Sequence, residues 1–538
     1  MDRCKIWIYG AAWGCACATV WLAAALTPAL AVLAGAASVV TWIASRRWLQ
    51  GTVLCLHTIV YWLPAIFFGI GYHRFHMAFV PWMIALLIVI GRHRTLRRWY
   101  MPRSWQRPVV GWAVLVALSW PIGVWRELHF ILPGETLGHA VNNIRGLPAL
   151  TAAFWVARTA LMHLVAVLWL DTLYGDAGRT DTRTGLAHRI LHALRWGWIG
   201  VIAVAILQAF VDLRLLNGAY WIRQARVSGA LRDANALGTL AATWILMPAS
   251  HNRNAKYRCF RAVWLGVGLW TVWISGSRAA VLMLGIGLAW WSMHMWFRSR
   301  HKRDRRSTAT ALQPSVISGW IGIVCVGMLT VLCIPPGIDT GWKRITAIAR
   351  AAGTTGSLAA LWAQLGERPV FWKSALAVFL DAPLTGIGPG GVDIVLTDYA
   401  WRHGWGKRIL PFESALNAVI QFFAEYGLLG GMYFWIAIRS LWRSRRFLFP
   451  PDRWTALGLA WVVSLCFGVH IQHPAVLWTL LPLIVVWMKQ RTMRTTVPMP
   501  GFPKSRTLHQ ILGIAVLYSI LLLIASVSVY FPGLRPRV

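Results

Sequence analysis

Acidic residues are scarce in this chain of 538 residues: 17 Asp and Glu stand against 53 Lys and Arg. Charge of either sign is thin, at 13 % of residues. No long polar stretch, linker or internal repeat interrupts the sequence, so no soluble domain can be drawn within it. The eight cysteines are scattered through apolar runs without a CxxC or paired loop cysteines, which leaves no disulfide framework or zinc ligand set to build. No stretch reads as a cleaved signal peptide, because the first apolar run follows MDRCK at once and a second succeeds it without a small-residue exit.

What is present is hydrophobicity. Residues of the apolar classes make up 57 % of the chain, and mean hydropathy is +0.55. Apolar runs of about 17 residues or more recur along the whole length, each a candidate spanning helix. The expected fold is an all-α polytopic membrane protein of about 14–15 transmembrane helices. Their approximate centres are Cys15, Leu33, Tyr61, Ala85, Ala117, Leu164, Ala203, Thr243, Leu269, Gly287, Cys325, Phe434, Val463, Leu481 and Leu521. Tryptophan, 36 residues, gathers near run ends as interfacial anchors do.

The net charge of +36 would suggest nucleic acid in a soluble protein. Here the cations sit in short clusters between apolar runs, so topology accounts for them and no nucleic-acid partner is expected. Clusters at Arg46–Arg47, Arg92–Arg107, Arg179–Arg189, Arg253–Arg261, Arg298–Arg306, Arg439–Arg446 and Lys489–Arg506 fall on alternate loops. The positive-inside rule puts all of them, and the N-terminus, in the cytoplasm, where they orient the chain and touch anionic membrane lipids. The opposite face then receives Arg126–Leu150, Asp212–Asp233, the turn Gly276–Arg278, the long loop Gly337–Ser414 and the turn at Gln472–Pro474. The long loop is expected to hold a helix over Val370–Leu380, a Pro/Gly-dense turn at Asp381–Gly391, and a polar, aromatic stretch at Asp398–Arg408.

One residue on that outer face stands out. Ile274–Leu282 reads ISGSRAAVL and sets Arg278 at the mouth of an apolar helix. A cation there is costly if it faces lipid, so it either snorkels to water or holds an anion. Its planar fork suits a phosphate.

Four outer segments, in order, resemble the O-antigen ligase/polymerase superfamily of bacterial envelope glycosyltransferases. They are Arg226-Val-Ser-Gly229 with Asp233-Ala-Asn235; Ser277-Arg278 with Leu282; Arg368-Pro-Val-Phe-Trp372 with Pro383-Leu-Thr-Gly-Ile-Gly388; and Leu416-Asn417 with Glu425-Tyr-Gly427-Leu-Leu-Gly430. The resemblance covers residues 220–435, including the outer, periplasmic loop 337–414, within a single transmembrane domain 1–538. It departs at Leu416, where the family's ligases carry a histidine proposed to assist the acceptor hydroxyl. The departure tilts the resemblance toward polymerase-like members. The turn Gln472-His473-Pro474 also resembles a segment of protein O-oligosaccharyltransferases.

The resemblance implies an enzyme of the bacterial inner membrane that takes a glycan from a polyprenyl-diphosphate carrier and passes it to a glycan, lipid A core or protein acceptor. Cations can hold the departing diphosphate, so neither a metal nor another cofactor is expected. Arg278, Arg368 and Arg226 are the expected diphosphate ligands. With Leu416 in the histidine's place, Glu413, one helical turn earlier, and His403 in the loop are the candidate bases. Tyr399, Trp401 and Trp405 are candidates to stack on sugar rings. The rival class is a lipid-linked glycan flippase or transporter, which would show inverted repeats and charges near the midplane; the chain has no such repeat.

Overall fold

A computed structural model describes residues 100–101, 103–129, 149–179, 186–247, 255–303, 346, 350, 368–405, 414–443, 453–468 and 474–492. Among these the regular elements are all helical. They are α1 (Arg103–His129), α2 (Ala149–Arg179), α3 (Leu186–Phe210), α4 (Ala219–Arg223), α5 (Ala234–Leu246), α6 (Ala255–Ile274), α7 (Arg278–Arg303), α8 (Arg368–Asp381), α9 (Gly391–Arg402), α10 (Ala418–Arg443), α11 (Arg453–Cys466) and α12 (Pro474–Thr492). The runs centred on Ala117, Leu164, Ala203, Thr243, Leu269, Gly287, Phe434, Val463 and Leu481 each fall in a helix; those on Cys15, Leu33, Tyr61, Ala85, Cys325 and Leu521 lie outside the described residues. Among the described helices α3 is long and apolar enough to cross a membrane, with a mean hydropathy of 1.8 over its most apolar stretch. Shorter apolar stretches lie in α1, α2, α5, α6, α7, α11 and α12.

Two hydrophobic cores organise these helices. The first gathers α2, α3, the segment 227–231, α5, α6, α7, α11 and α12 around the buried rings of Trp169, Trp198 and Trp478. The second gathers α1, α2, α8, α9 and α10 around Trp120 and Tyr426. Helix α2 contributes to both, with Val165 and Trp169 in one and Leu164 and Val167 in the other. Its Asp171 accepts the backbone N–H groups of Tyr100 and Met101, each at 3.0 Å, so this buried carboxylate is satisfied by the chain entering α1.

The expected helix over Val370–Leu380 is present as α8, and the Pro/Gly-dense turn follows it. That turn clasps α10. Ile387 and Gly388 donate to the carbonyls of Ala424 and Glu425 at 3.1 and 2.9 Å, while Leu428 and Leu429 donate to Pro383 and Leu384 at 2.7 and 3.1 Å. The backbones approach so closely that a Cβ on Gly386 would sit 2.2 Å from the carbonyl of Glu425, and one on Gly427 would sit 2.6 Å from the amide of Gly386. Both glycines also have positive φ, 64° and 58°, which side chains resist. The spaced glycines of the third and fourth segments are therefore two halves of one contact.

One element was not expected. The stretch read as polar and aromatic begins inside a helix, α9, which buries Val392, Val395, Leu396 and Tyr399 at helical spacing. Its start among consecutive glycines hid that period.

Candidate active site

Arg278 is the first residue of α7. Helix α6 ends at Ile274, and the chain turns through Ser275–Ser277. Ser275 Oγ donates to Val272 O at 2.7 Å, and Ser277 Oγ accepts the amide of Ala280 at 3.3 Å, capping α7. Helix α5 presses on this turn at Gly238, where a Cβ would lie 2.6 Å from Ser275 Oγ and 2.8 Å from Ser277 Cβ. The first turn of α7 has no acidic residue. A half-buried cation thus stands at the positive end of a helix, where the dipole opposes it.

Arg226 is 4 % exposed, and its role is visible in its bonds. Its Nε donates to Ser275 O and its Nη2 to Asn235 Oδ1, both at 2.8 Å, and its guanidinium lies 4.5 Å over the ring of Trp221. It ties the loop after α3 to the turn that presents Arg278. The rest of the first segment builds that loop. Gln208 Oε1 accepts the amides of Ser228 and Gly229 at 3.0 and 2.8 Å. Asp233 caps α5 by accepting from Asn235 and Ala236 at 2.7 and 3.1 Å.

Arg368 begins α8 and meets Arg278 electrostatically. Burial, and next the charge of Arg278, lower its pKa to about 10, with Tyr220 acting in the opposite sense. It stays charged at neutral pH. Arg278 of α7 and Tyr220 of α4 are thus near enough to Arg368 of α8 to interact with it electrostatically. Tyr220 was not foreseen; the only signal for it was its aromatic pairing with Trp221 just upstream of Arg226. Asp381 is no partner for Arg368, since it closes the far end of the same 14-residue helix, about 20 Å away at 1.5 Å per residue. Tyr399 donates to Asp381 instead, at 2.5 Å.

Leu416 has φ 52°, an uncommon conformation for a leucine, immediately before Asn417 caps α10. Asn417 Oδ1 accepts from Val419 and Ile420 at 3.0 and 3.1 Å. Gln421 locks the same turn: its Oε1 accepts Ala415 N–H at 3.1 Å, and its Nε2 donates to Asp393 Oδ1 at 2.9 Å and Glu425 Oε1 at 2.8 Å. This carboxylate–amide–carboxylate bridge joins α9 to α10. Gln421 and Glu425, one helical turn apart in an apolar run, were its sequence signal; Asp393 had none.

Glu413 lies outside the described residues. His403 is exposed at the C-terminal end of α9 and stacks on Trp405 with ring centroids 4.4 Å apart. Trp401 and Trp405 are exposed, whereas Tyr399 is buried, which closes its faces to a sugar. Among the described residues no group of three or more His, Cys, Asp and Glu side chains is placed to hold a metal ion.

Residues 262–435 match the protein family described as O-antigen ligase. The match takes in Arg278, Arg368, His403 and Glu413 and leaves Arg226 outside. No curated protein matches the chain.

Proposed function

We propose that this chain, whose residues 262–435 match the family described as O-antigen ligase, is a polytopic inner-membrane glycosyltransferase polymerising a polyprenyl-diphosphate-linked oligosaccharide on the periplasmic face. The convergence of Arg278 with Arg368 carries this reading. Two cations near enough to repel each other, one of them at the positive end of a helix, suit a multiply charged anion. A lipid diphosphate supplies that anion.

In the reaction an acceptor hydroxyl oxygen bonds to the anomeric carbon while the bond from that carbon to the diphosphate oxygen breaks. The diphosphate leaves with the electron pair, and the hydroxyl proton passes to a base. Arg278 and Arg368 hold the departing charge, so that binding energy is realised where negative charge grows. Arg226 serves them by fixing the Ser275–Arg278 turn. Glu413 is our candidate base, three residues before Leu416 in the sequence, with His403 as the second. The exposed Trp401 and Trp405 offer faces for sugar rings.

Leu416 in place of histidine favours polymerisation over ligation to lipid A core or transfer to protein. A deletion strain separates the three: short-chain surface glycan supports polymerisation, accumulated long polymer beside uncapped core means ligation, and bare glycoprotein means protein transfer. Alkaline-phosphatase fusions at Gly353 and Arg300 test the topology, with activity expected at Gly353 alone. An inactive fusion at Gly353 would put the loop in the cytoplasm and end the mechanism.

A further inference from the structure

Helix α8 is apolar on two faces. Phe371, Ala375, Val378 and Ala382 recur at helical spacing and enter the second core. Leu376 and Leu380 form a second row one turn apart on another face, and Leu384 continues it into the following turn; these are 54, 65 and 67 % exposed. A helix bathed in water on one side carries polar residues there, and one that is apolar all round is covered by protein or lipid. Apart from Lys373, near its N-terminal end, and Asp381, at its last position, α8 offers no charged residue beyond Arg368.

The row does not stop at α8. Through the bonds of Leu428 to Pro383 and Leu429 to Leu384, it joins the exposed face of α10, where Leu428, Met432 and Trp435 are 50, 61 and 66 % exposed at one-turn intervals. One apolar surface therefore runs from the outer-loop helix onto a helix that our reading sends through the bilayer. A contiguous uncovered patch of this kind marks a membrane or partner contact. Its continuity with a lipid-facing span names the bilayer.

We propose that α8, although part of the outer loop, lies in the outer leaflet with Leu376, Leu380 and Leu384 among the acyl chains. This rests on reading α10 as a membrane span. Lys373 on the same side then reaches up to the headgroups, as an amphipathic cation does at an interface. Arg368, at the head of α8, comes to the depth at which a lipid-linked diphosphate sits. The donor enters the arginine pair by lateral diffusion, without its headgroup being lifted from the membrane.

The test uses the full chain in donor-free vesicles of phosphatidylethanolamine and phosphatidylglycerol. A fluorescent amino acid is placed singly at Leu376, Leu380, Leu428 or His403 by nonsense suppression, and quenching by lipids spin-labelled near the headgroup is read. Probes at Leu376, Leu380 and Leu428 are expected to be blue-shifted and to lose most of their emission, while His403 stays unquenched. Water-like emission at both α8 positions with quenching at Leu428 would overturn the proposal and leave the span intact. Water-like emission at Leu428 as well would overturn the span and the proposal together. Probes on α8 that turn blue only when polyprenyl-diphosphate donor is added would make the row a track for the donor's tail and overturn the bilayer assignment.

Discussion

Helices α7 and α9 begin in opposite electrostatic ways. At the start of α9, whose cap is a glycine with no side-chain bond, Asp393 sits in the first turn, and Glu425 of α10 accepts the Gly390 amide. The charge of Asp393 offsets the positive end of the helix, as stability asks. At the start of α7 the first turn holds Arg278 and no acid, and a second arginine is close enough to feel it. The first arrangement explains itself as structure. The second sets a cation against the positive end of a helix, and in our reading a bound anion offsets it.

That contrast can be broken most directly at Arg278. Arg278→Ala should abolish glycan transfer while leaving membrane insertion, protein level and thermal stability little changed. In vitro transfer from a purified lipid-linked donor, alongside thermal unfolding in detergent, reads both. Wild-type transfer by the variant would remove Arg278 from the diphosphate site. Arg278→Lys keeps the charge but loses the two-pronged grip, and should fall between the two.

The base is the next test. Loss of a general base typically slows a reaction by about 10²–10⁴-fold. Glu413→Gln should therefore reduce turnover far more than Leu416→Ala, with KM for the donor little changed, since neither variant touches the arginine pair. The reverse order would eliminate Glu413.

The clasp between the turn after α8 and α10 is structural and should respond in stability. Gly386→Ala pushes a Cβ against the Glu425 carbonyl at a positive φ; overpacking and backbone strain together should cost about 3 kcal/mol. A Tm that did not fall would mean that the clasp opens in the membrane-bound protein.

These residues also show what the sequence made legible. Apolar period placed the helices well, because burial in a core or lipid leaves the same spacing. Ser277, Asp233 and Asn417 stood out within the resembling segments, yet each proves to cap the helix that follows it, which local chemistry alone could have indicated. Arg278 was legible because a cation before an apolar run has few cheap explanations. Its approach to Arg368 was not, since the two are 90 positions apart and only tertiary packing joins them. Arg226 looked like a third ligand from its outer placement; its bonds to Ser275 and Asn235 had no trace in spacing. Asp393 was likewise invisible, because its pairing with Gln421 depends on how α9 leans on α10.

The bridge on α9 should be costlier to damage than any single cap. Gln421→Ala removes the donor shared by Asp393 and Glu425 and the acceptor for Ala415 N–H, leaving partly buried groups unsatisfied at about 1–3 kcal/mol. Because the same side chain holds the Leu416 turn, turnover should drop with it, and Gln421→Glu should not rescue it, since a third carboxylate would face the other two. Unfolding and transfer measured on both variants check this. Rescue by glutamate would show that the bridge needs only an acceptor.

The smallest effect should come from making the start of α7 resemble that of α9. Ser277→Asp puts an anion at the cap, and the helix should gain about 0.3–1 kcal/mol from the dipole and a firmer capping bond than the 3.3 Å contact it replaces. The same carboxylate would sit beside Arg278 and compete with the diphosphate for it. Stability and donor affinity should therefore move in opposite directions: a slightly higher Tm and a raised KM, with the chemical step at saturating donor nearly intact. An unchanged KM at higher Tm would mean that the Arg278 guanidinium points away from the cap toward its ligand. A lower Tm would mean that the turn is too tightly packed by Gly238 to accept the added atoms, and that α7's lack of an acid is steric rather than functional.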